Sequence, residues 1–354
     1  MMPAYNAESF IDSAIGSILA QKMPDWELVV VNDGSTDQTA DLLSQYSDRR
    51  IRVYHQKNAG EAAARNHALR EVDGEFLAFL DSDDQFLPAF LENMVDFLKA
   101  NPTLDGVYCD GFYIDPTGQI IGSLSENRRG PFEGSLYNAL VRASDVFGPP
   151  ICVLLRTDSV FTSGVTFDPR IVIGPDWDFF TRLSQTTRFG YLDRKLVCYR
   201  VHTTNITVTT GGKKRLSSLA LCREKAIHTA GFSNLCLETR AYTFFDLLIN
   251  LLAGGIKKQI EVTHWEQFQA LPDSEQARLY RLMASQLLQD VTQQHNPQIL
   301  SWLRQARRQS HRDWKSVLLQ SLYVLSPRLS AVLLRARAVS DRKTSFRSPF
   351  TIRD

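Results

Sequence analysis

The sequence has no cysteines at metal-binding spacing. Its five cysteines, Cys109, Cys152, Cys198, Cys222 and Cys236, are an odd number with no Cys-x-x-Cys among them, which argues against a disulfide framework and against a zinc site. Such thiols fit a reducing cytoplasm. Also missing is any stretch approaching the roughly 20 apolar residues that span a bilayer, and the N-terminus lacks the basic and apolar regions of a signal peptide. The expectation is a cytoplasmic protein, neither secreted nor integral to a membrane. There is no internal repeat, no low-complexity segment and almost no net charge, +1 over 354 residues. A nucleic-acid partner is not expected. The charge is unevenly spread, however: residues 301–354 hold 12 Lys and Arg against 3 Asp and Glu, a net +9, which leaves −8 for the remainder.

What is present is a 44% hydrophobic chain, long enough for one large domain plus an appendage, or for two domains. Phe76-Leu77-Ala78-Phe79-Leu80 reads as a buried strand and ends abruptly in Asp81-Ser82-Asp83-Asp84. If extended backbone continues past it, Asp81 and Asp83 point the same way from the strand's carboxyl end, where open α/β sheets place ligands. Two carboxylates there repel unless a cation neutralises them, and hard oxygen ligands select Mg²⁺ or Mn²⁺. An isolated Asp-x-Asp triplet is more often a polar loop, so the rest of the chain must decide.

Pro3 to Asn6 reads as a turn and Ala7 to about Gln21 as a helix. Glu27–Asn32 reads as a strand closed by Asp33-Gly34-Ser35-Thr36-Asp37, followed by a helix over Thr39–Tyr46. Strand Ile51–His55, the Gly60 loop and a helix through Ala62–Asn66 lead back to Phe76. Strand and helix alternate as in a doubly wound α/β domain. Beyond Pro88 the spacing predicts a helix to Ala100, strands at Gly106–Asp110, Val153–Arg156 and Gly190–Val201, and a helix from Gly174 to Leu183. Residues 123–150 read as a mobile or substrate-shaped insertion. From Lys213 the pattern is helical.

Taken in order, Pro3-Ala4-Tyr5-Asn6, Asn32-Asp33-Gly34-Ser35-Thr36-Asp37, Ala64-Arg65-Asn66, Asp81-Ser82-Asp83-Asp84, Asp176-Trp177 and Tyr199-Arg200-Val201-His202 resemble the family 2 glycosyltransferases with a GT-A fold. The resemblance covers about residues 1–207 and not the chain after about Lys213. It implies a doubly wound, Rossmann-like mixed sheet over residues 1–212, a nucleotide-sugar glycosyltransferase domain; the chain's own pattern and charge add a helical, C-terminally basic extension over 213–354. It further implies a nucleotide-diphosphate sugar donor, a glycan or lipid-linked acceptor, Mn²⁺ or Mg²⁺ as cofactor, and inversion by direct displacement. Chemistry asks for the same parts, because the departing diphosphate gains charge that a cation stabilises without proton transfer.

By this resemblance Asp83 ligates the metal directly, Asp81 faces the ribose or a metal-bound water, Ser82 lies in the same clamp, and His202 completes the coordination or contacts the diphosphate. Asp33 and the segment Pro3, Tyr5 and Asn6 face the nucleobase and ribose, while Ser35 and Asp37 read as helix caps. Asp176 is the base that takes the acceptor's proton, although locally it also reads as a first-turn helix acid. Arg65 reaches the donor phosphates or forms a salt bridge within the fold. Asp84 is a metal or acceptor contact or an N-cap, and Trp177 stacks on a sugar or fills the core.

The chain departs from the family in offering only Met1 and Met2 where a full hydrophobic strand precedes Pro-x-Tyr-Asn, so a missing upstream segment is expected. It has Asn32 where Asp is common, which keeps the acceptor oxygen and loses charge. A processive synthase is disfavoured, since Gln-x-x-Arg-Trp is absent. The alternatives are nucleotidyl transfer, which would need a Gly-rich basic loop that Pro3–Asn6 is not, and a non-catalytic sugar-nucleotide-binding or scaffold protein. In the tail, Trp314, Val317, Leu318, Leu322 and Leu325 share a helix face, Pro327 interrupts it, and Leu329, Val332, Leu333 and Ala336 resume it among Arg328, Arg335 and Arg337. That pattern fits a helical subdomain packed on the catalytic domain or a partner subunit, or peripheral attachment at the inner face of a membrane, where each basic residue gains about 1 kcal/mol.

Overall fold

The computed structural model describes residues 1–310 and 313–341. The side chains of Ala336 and Arg337, placed above on the tail helix, lie outside the described residues. The chain forms two compact units, Met1–Ala226 and a second that starts at Ile227.

The first unit opens with β1 (Met2–Ala4), α1 (Ile11–Leu19), β2 (Leu28–Asn32), α2 (Thr39–Ser44), β3 (Ile51–His55) and α3 (Glu61–Glu71). The three strands are parallel in the order β1-β2-β3. Pro3 and Ala4 are therefore strand rather than turn, and the bend falls at Tyr5 and at Asn6, whose φ is 48°. α1 starts at Ile11 rather than at Ala7. The amides of Ala7 and Glu8 are donated across to Thr39 Oγ1 (2.8 Å) and Asp37 (3.1 Å), which holds this segment against the β2–α2 loop.

A second, mixed sheet follows from β4 (Phe76–Ala78), β5 (Gln85–Phe86), α4 (Phe90–Ala100), β6 (Gly106–Ile114), β7 (Ile120–Ser123), β8 (Gly134–Ser135), α5 (Tyr137–Arg142), β9 (Val153–Arg156), α6 (Thr157–Ser163), α7 (Pro175–Leu183) and β10 (Arg188–Arg200). Its order is β4-β9-β6-β10-β5, with β7 on β6 and β8 on β10; β6 and β10 are parallel and the other pairs antiparallel. The two sheets meet where the Met1 nitrogen donates to the Ala78 carbonyl (2.8 Å) and the Leu80 amide to the Met1 carbonyl (3.1 Å). β4 thus lies in the middle of one continuous surface.

Period-two alternation explains why these strands read as unbroken apolar runs. Leu28, Val30, Leu80, Val107, Cys109 and Leu154 enter one core with α1 and α4. Their neighbours Val29, Val31, Phe79, Tyr108, Val153 and Leu155 enter another with α3, Phe179 and Phe180. Residues 123–150 are not a separate insertion: Leu136, Leu140, Val146 and Phe147 lie in that second core. Arg128 sits between the rings of Tyr108 and Tyr191, 3.3 Å from Asp110. The sequence concealed this because the segment's apolar residues are spaced for neither a long helix nor a long strand.

The unit continues through the short α8 (Ile206–Thr209) into α9 (Gly212–Ile227). Cys222 of α9 packs with Ile171 and Trp177. The second unit is helical, with α10 (Leu237–Ala253), α11 (Gln259–Thr263), α12 (Glu266–Gln269), α13 (Asp273–Gln289), α14 (Pro297–Gln309), α15 (Trp314–Leu325) and α16 (Pro327–Asp341). Among the described residues no helix is long and apolar enough to cross a membrane.

Candidate active site

The site forms where the chain leaves β4. The extended backbone stops at Ala78, and Asp81 to Asp84 close a turn in which the Asp84 amide donates to the Asp81 carbonyl (3.1 Å). Asp81 and Asp83 are therefore not alternate residues of a strand, as the sequence suggested, and they engage different partners. Asp81 Oδ1 accepts from Arg65 Nη2 at 2.7 Å. Arg65 is 1% exposed; its Nη1 lies 2.7 Å from Glu61 Oε1, one helical turn back on α3, without the alignment of a hydrogen bond. Its guanidinium also lies 5.5 Å from the Phe167 ring. Burial alone would favour a neutral Arg65, but Asp81 and Glu61 hold it charged. Burial pushes Glu61 up to about 7 against the pull of Arg65.

β10 delivers the second partner. Its end places His202 Nε2 2.9 Å from Asp83 Oδ2, with Nδ1 2.7 Å from Thr204 Oγ1 and the ring 4.8 Å from that of Phe10. Burial, then the like charge of Asp81, raises the Asp83 carboxyl, and His202 partly offsets this. Arg200 fastens the same turn: its amide donates to Asp84 Oδ1 (2.8 Å) and its Nε to the Asp83 carbonyl (2.8 Å). Asp84 Oδ2 is buried without a hydrogen-bond partner, and burial plus the neighbouring Asp83 and Asp81 push this carboxyl well above its ordinary value.

On the β2 side, Asp33 is buried and accepts from Gln56 Nε2 (2.7 Å), the Ala59 amide (2.9 Å) and the Gly60 amide (2.8 Å). Its carboxylate shapes the loop that opens α3. Gly34 beside it has φ 71°, and a Cβ there would stand 2.7 Å from the Asn58 nitrogen, so only glycine fits. Asn6 Oδ1 accepts from the Thr36 amide (2.8 Å), and Ser35 Oγ accepts from the Asn6 amide (3.0 Å). Asp37 accepts from Thr39 at the start of α2, while Ser35 serves Asn6 rather than the helix. Pro3 lies in the buried β1, and Tyr5 is 50% exposed at its end. No hydrogen bond of the Ser82 side chain is seen among the described residues.

Asp176 occupies the first turn of α7, after Gly174 in the left-handed region and Pro175 at the first helical position. Burial raises its carboxyl, against the attraction of Arg65 and with the repulsion of Asp81, so its charge is coupled to the Asp81–Arg65 pair. Trp177 does not face outward as an acceptor platform. It is 7% exposed, donates from Nε1 to the Leu140 carbonyl (2.7 Å) and lies under the Arg223 guanidinium at 4.5 Å.

No group of three or more His, Cys, Asp or Glu among the described residues is arranged to hold a metal ion. The expected set of Asp81, Asp83 and His202 is divided, with Asp81 paired to Arg65 and His202 to Asp83. The donor types nevertheless fit. Asp81 Oδ2 and Asp83 Oδ1 have no protein hydrogen bond among the described residues, Asp84 Oδ2 is buried without a partner, and like-charge repulsion among the three carboxyls is what a divalent cation relieves. Sequence reasoning missed Glu61 and Arg200. The i,i+4 spacing of Glu61 and Arg65 on a predicted helix was a usable signal. The role of Arg200 depends on β10 lying beside β5, which nothing local encodes.

Residues 1–160 match the family described as Glycosyl transferase family 2. The UDP-Glc:alpha-D-GlcNAc-diphosphoundecaprenol beta-1,3-glucosyltransferase WfgD of Escherichia coli is 42% identical over 102 residues, 28% of this chain and 40% of that protein. Three further curated relatives are matched over 30%, 39% and 32% of their own length, so the chain spans about a third of such proteins. Among solved structures, S. aureus TarS 1-349 in complex with UDP-GlcNAc superposes with a TM-score of 0.58 at 16% identity, covering 98% of this chain and 92% of that one. The mannosyltransferase PcManGT from Pyrobaculum calidifontis, in complex with GDP-Man and Mn²⁺, gives 0.52 at 19% identity, covering 88% and 86%. At such identities these two establish the fold alone. Residues 1–160 are thus similar to the family 2 glycosyltransferases, and the chain shares the GT-A fold of these solved neighbours.

Proposed function

We propose that the protein transfers a sugar from a nucleotide-diphosphate sugar to a hydroxyl of a glycan or lipid-linked acceptor, by direct displacement with inversion. The observation that carries this reading is the Asp81–Asp84 turn at the exit of the central strand, with Asp83 on His202 and Asp81 on Arg65. The relatives support the donor class: TarS is solved with UDP-GlcNAc and PcManGT with GDP-Man, and WfgD is named for a diphosphoundecaprenol-linked substrate.

In this reading Pro3, Tyr5, Asn6 and the Asp33-shaped loop face the nucleoside, and Ser82 and Asp81 face the ribose and diphosphate. Asp83, Asp81 and His202 would hold Mn²⁺ or Mg²⁺, which when bound offsets the charge gained by the departing diphosphate. The Arg65 guanidinium, held beside Asp81, would be a donor for a phosphate oxygen. Asp176 accepts the proton of the attacking acceptor hydroxyl as the new bond forms on the face opposite the diphosphate, and its raised basicity suits that task.

The test is Asp176→Asn, which keeps size and hydrogen bonding but cannot take the proton. Donor dissociation constants should stay within about twofold while turnover falls by about 10²- to 10⁴-fold. Near-normal turnover would remove Asp176 from the mechanism. Retained donor binding without turnover in the wild-type protein, across a panel of acceptors, would favour a binding protein instead.

A further inference from the structure

We propose that α15 and α16 form a docking face for an anionic lipid surface. In α15, Leu319 and Tyr323 turn inward and are buried, and Trp314, Val317, Leu318 and Leu325 stand on the opposite face, exposed. Leu325 is 82% exposed and Trp314 64%, so most of each side chain stands uncovered. In α16 Ser330 and Ala331 are buried while Leu329, Val332 and Leu333 are exposed. Apolar residues on the outward face of two consecutive helices, rather than scattered singly, mark a surface that meets an apolar phase.

Charge identifies the phase. Arg304, Arg307, Arg308, Lys315 and Arg328 are exposed on the same three-helix run, and Lys315 Nζ lies 5.9 Å from the Trp314 ring, at the edge of the apolar face. Over residues 301–354 basic residues outnumber acidic ones by 12 to 3. A second copy of this chain would bring a second face of the same positive sign against the first, which repels. An anionic lipid surface supplies the opposite charge, an apolar interior for the leucines and a headgroup zone for Trp314. The face is independent of the transferase reading, because it lies wholly in the second unit.

Vesicle flotation of the full chain tests this. The protein should float with phosphatidylcholine vesicles containing about a third phosphatidylglycerol, much less with pure phosphatidylcholine, and less again at about 0.5 M salt. A Leu318→Asp/Leu325→Asp/Leu333→Asp variant should lose at least about tenfold in vesicle partitioning while keeping its circular dichroism and melting temperature, since all three side chains are exposed. Absence of flotation, flotation indifferent to lipid charge, or equal flotation of the variant would overturn the proposal. So would a dimer in light scattering that the same variant splits, which would make this a face between copies.

Discussion

Arg65 is the residue on which the candidate site's electrostatics turn. It is a buried cation whose compensation comes from Glu61 and Asp81, so its removal leaves two half-buried carboxylates without a counter-charge. Arg65→Ala should cost about 3 kcal/mol or more of unfolding free energy near pH 8. A carboxyl whose folded value is raised stabilises the fold at low pH and loses that contribution as pH rises through the folded value. Since Glu61 already titrates at about 7, and higher once Arg65 is gone, the penalty should shrink near pH 5.5, where it is protonated. Urea unfolding at the two pH values checks this, and an equal penalty at both would contradict it. At this scale the sequence showed the carboxylates and not their pairing. Asp81, Asp83 and Asp176 stood out by motif, but that Asp81 faces Arg65 and Asp83 faces His202 follows from a turn whose shape four consecutive polar residues do not announce.

At the scale of elements, α7 carries Asp176 and is itself fastened by ion pairs. Asp178 pairs with Arg182 (2.6 Å) and with Lys225 of α9 (3.1 Å), and Lys225 also reaches Asp168 (2.8 Å). The Arg170 guanidinium, with Lys225, holds the Asp168 carboxyl well below the usual range. Such a depressed carboxyl stabilises the fold above its ordinary value of 3.8 and loses that contribution as pH falls below it. Asp168→Asn should therefore cost about 1–2 kcal/mol near pH 7, between the values for exposed and buried pairs, and less near pH 2, where part of that contribution has been lost. Chemical unfolding at both pH values would show it, and an undiminished penalty in acid would assign the loss to packing. The element boundaries most legible in the sequence were those with a chemical stop, as at Gly174-Pro175 before α7 or Asp33-Gly34 after β2. The least legible were β1, three residues long and stabilised by pairing with β2 rather than by its own pattern, and the segment 123–150, whose order comes from packing under Phe147.

For the whole molecule, strand-helix alternation made the α/β class readable, and the helical character of the chain after Lys213 was equally plain from its periodicity. The strand order was not readable, because the link between the two sheets rests on two backbone bonds of Met1 that carry no side-chain signal. The central claim is that the Asp81–Asp84 turn binds the diphosphate of a nucleotide sugar together with a divalent cation. The most direct measurement is thermal unfolding of the wild-type chain and of Asp83→Ala against a panel of UDP- and GDP-sugars, with and without Mn²⁺. At ligand about a hundredfold above its dissociation constant, binding adds about 2.7 kcal/mol, a shift of a few degrees. At least one donor should raise the melting temperature of the wild-type protein with Mn²⁺ present, and Asp83→Ala should abolish the shift. A donor-induced shift that survives in Asp83→Ala and needs no Mn²⁺, or no shift with any nucleotide sugar, would contradict the account.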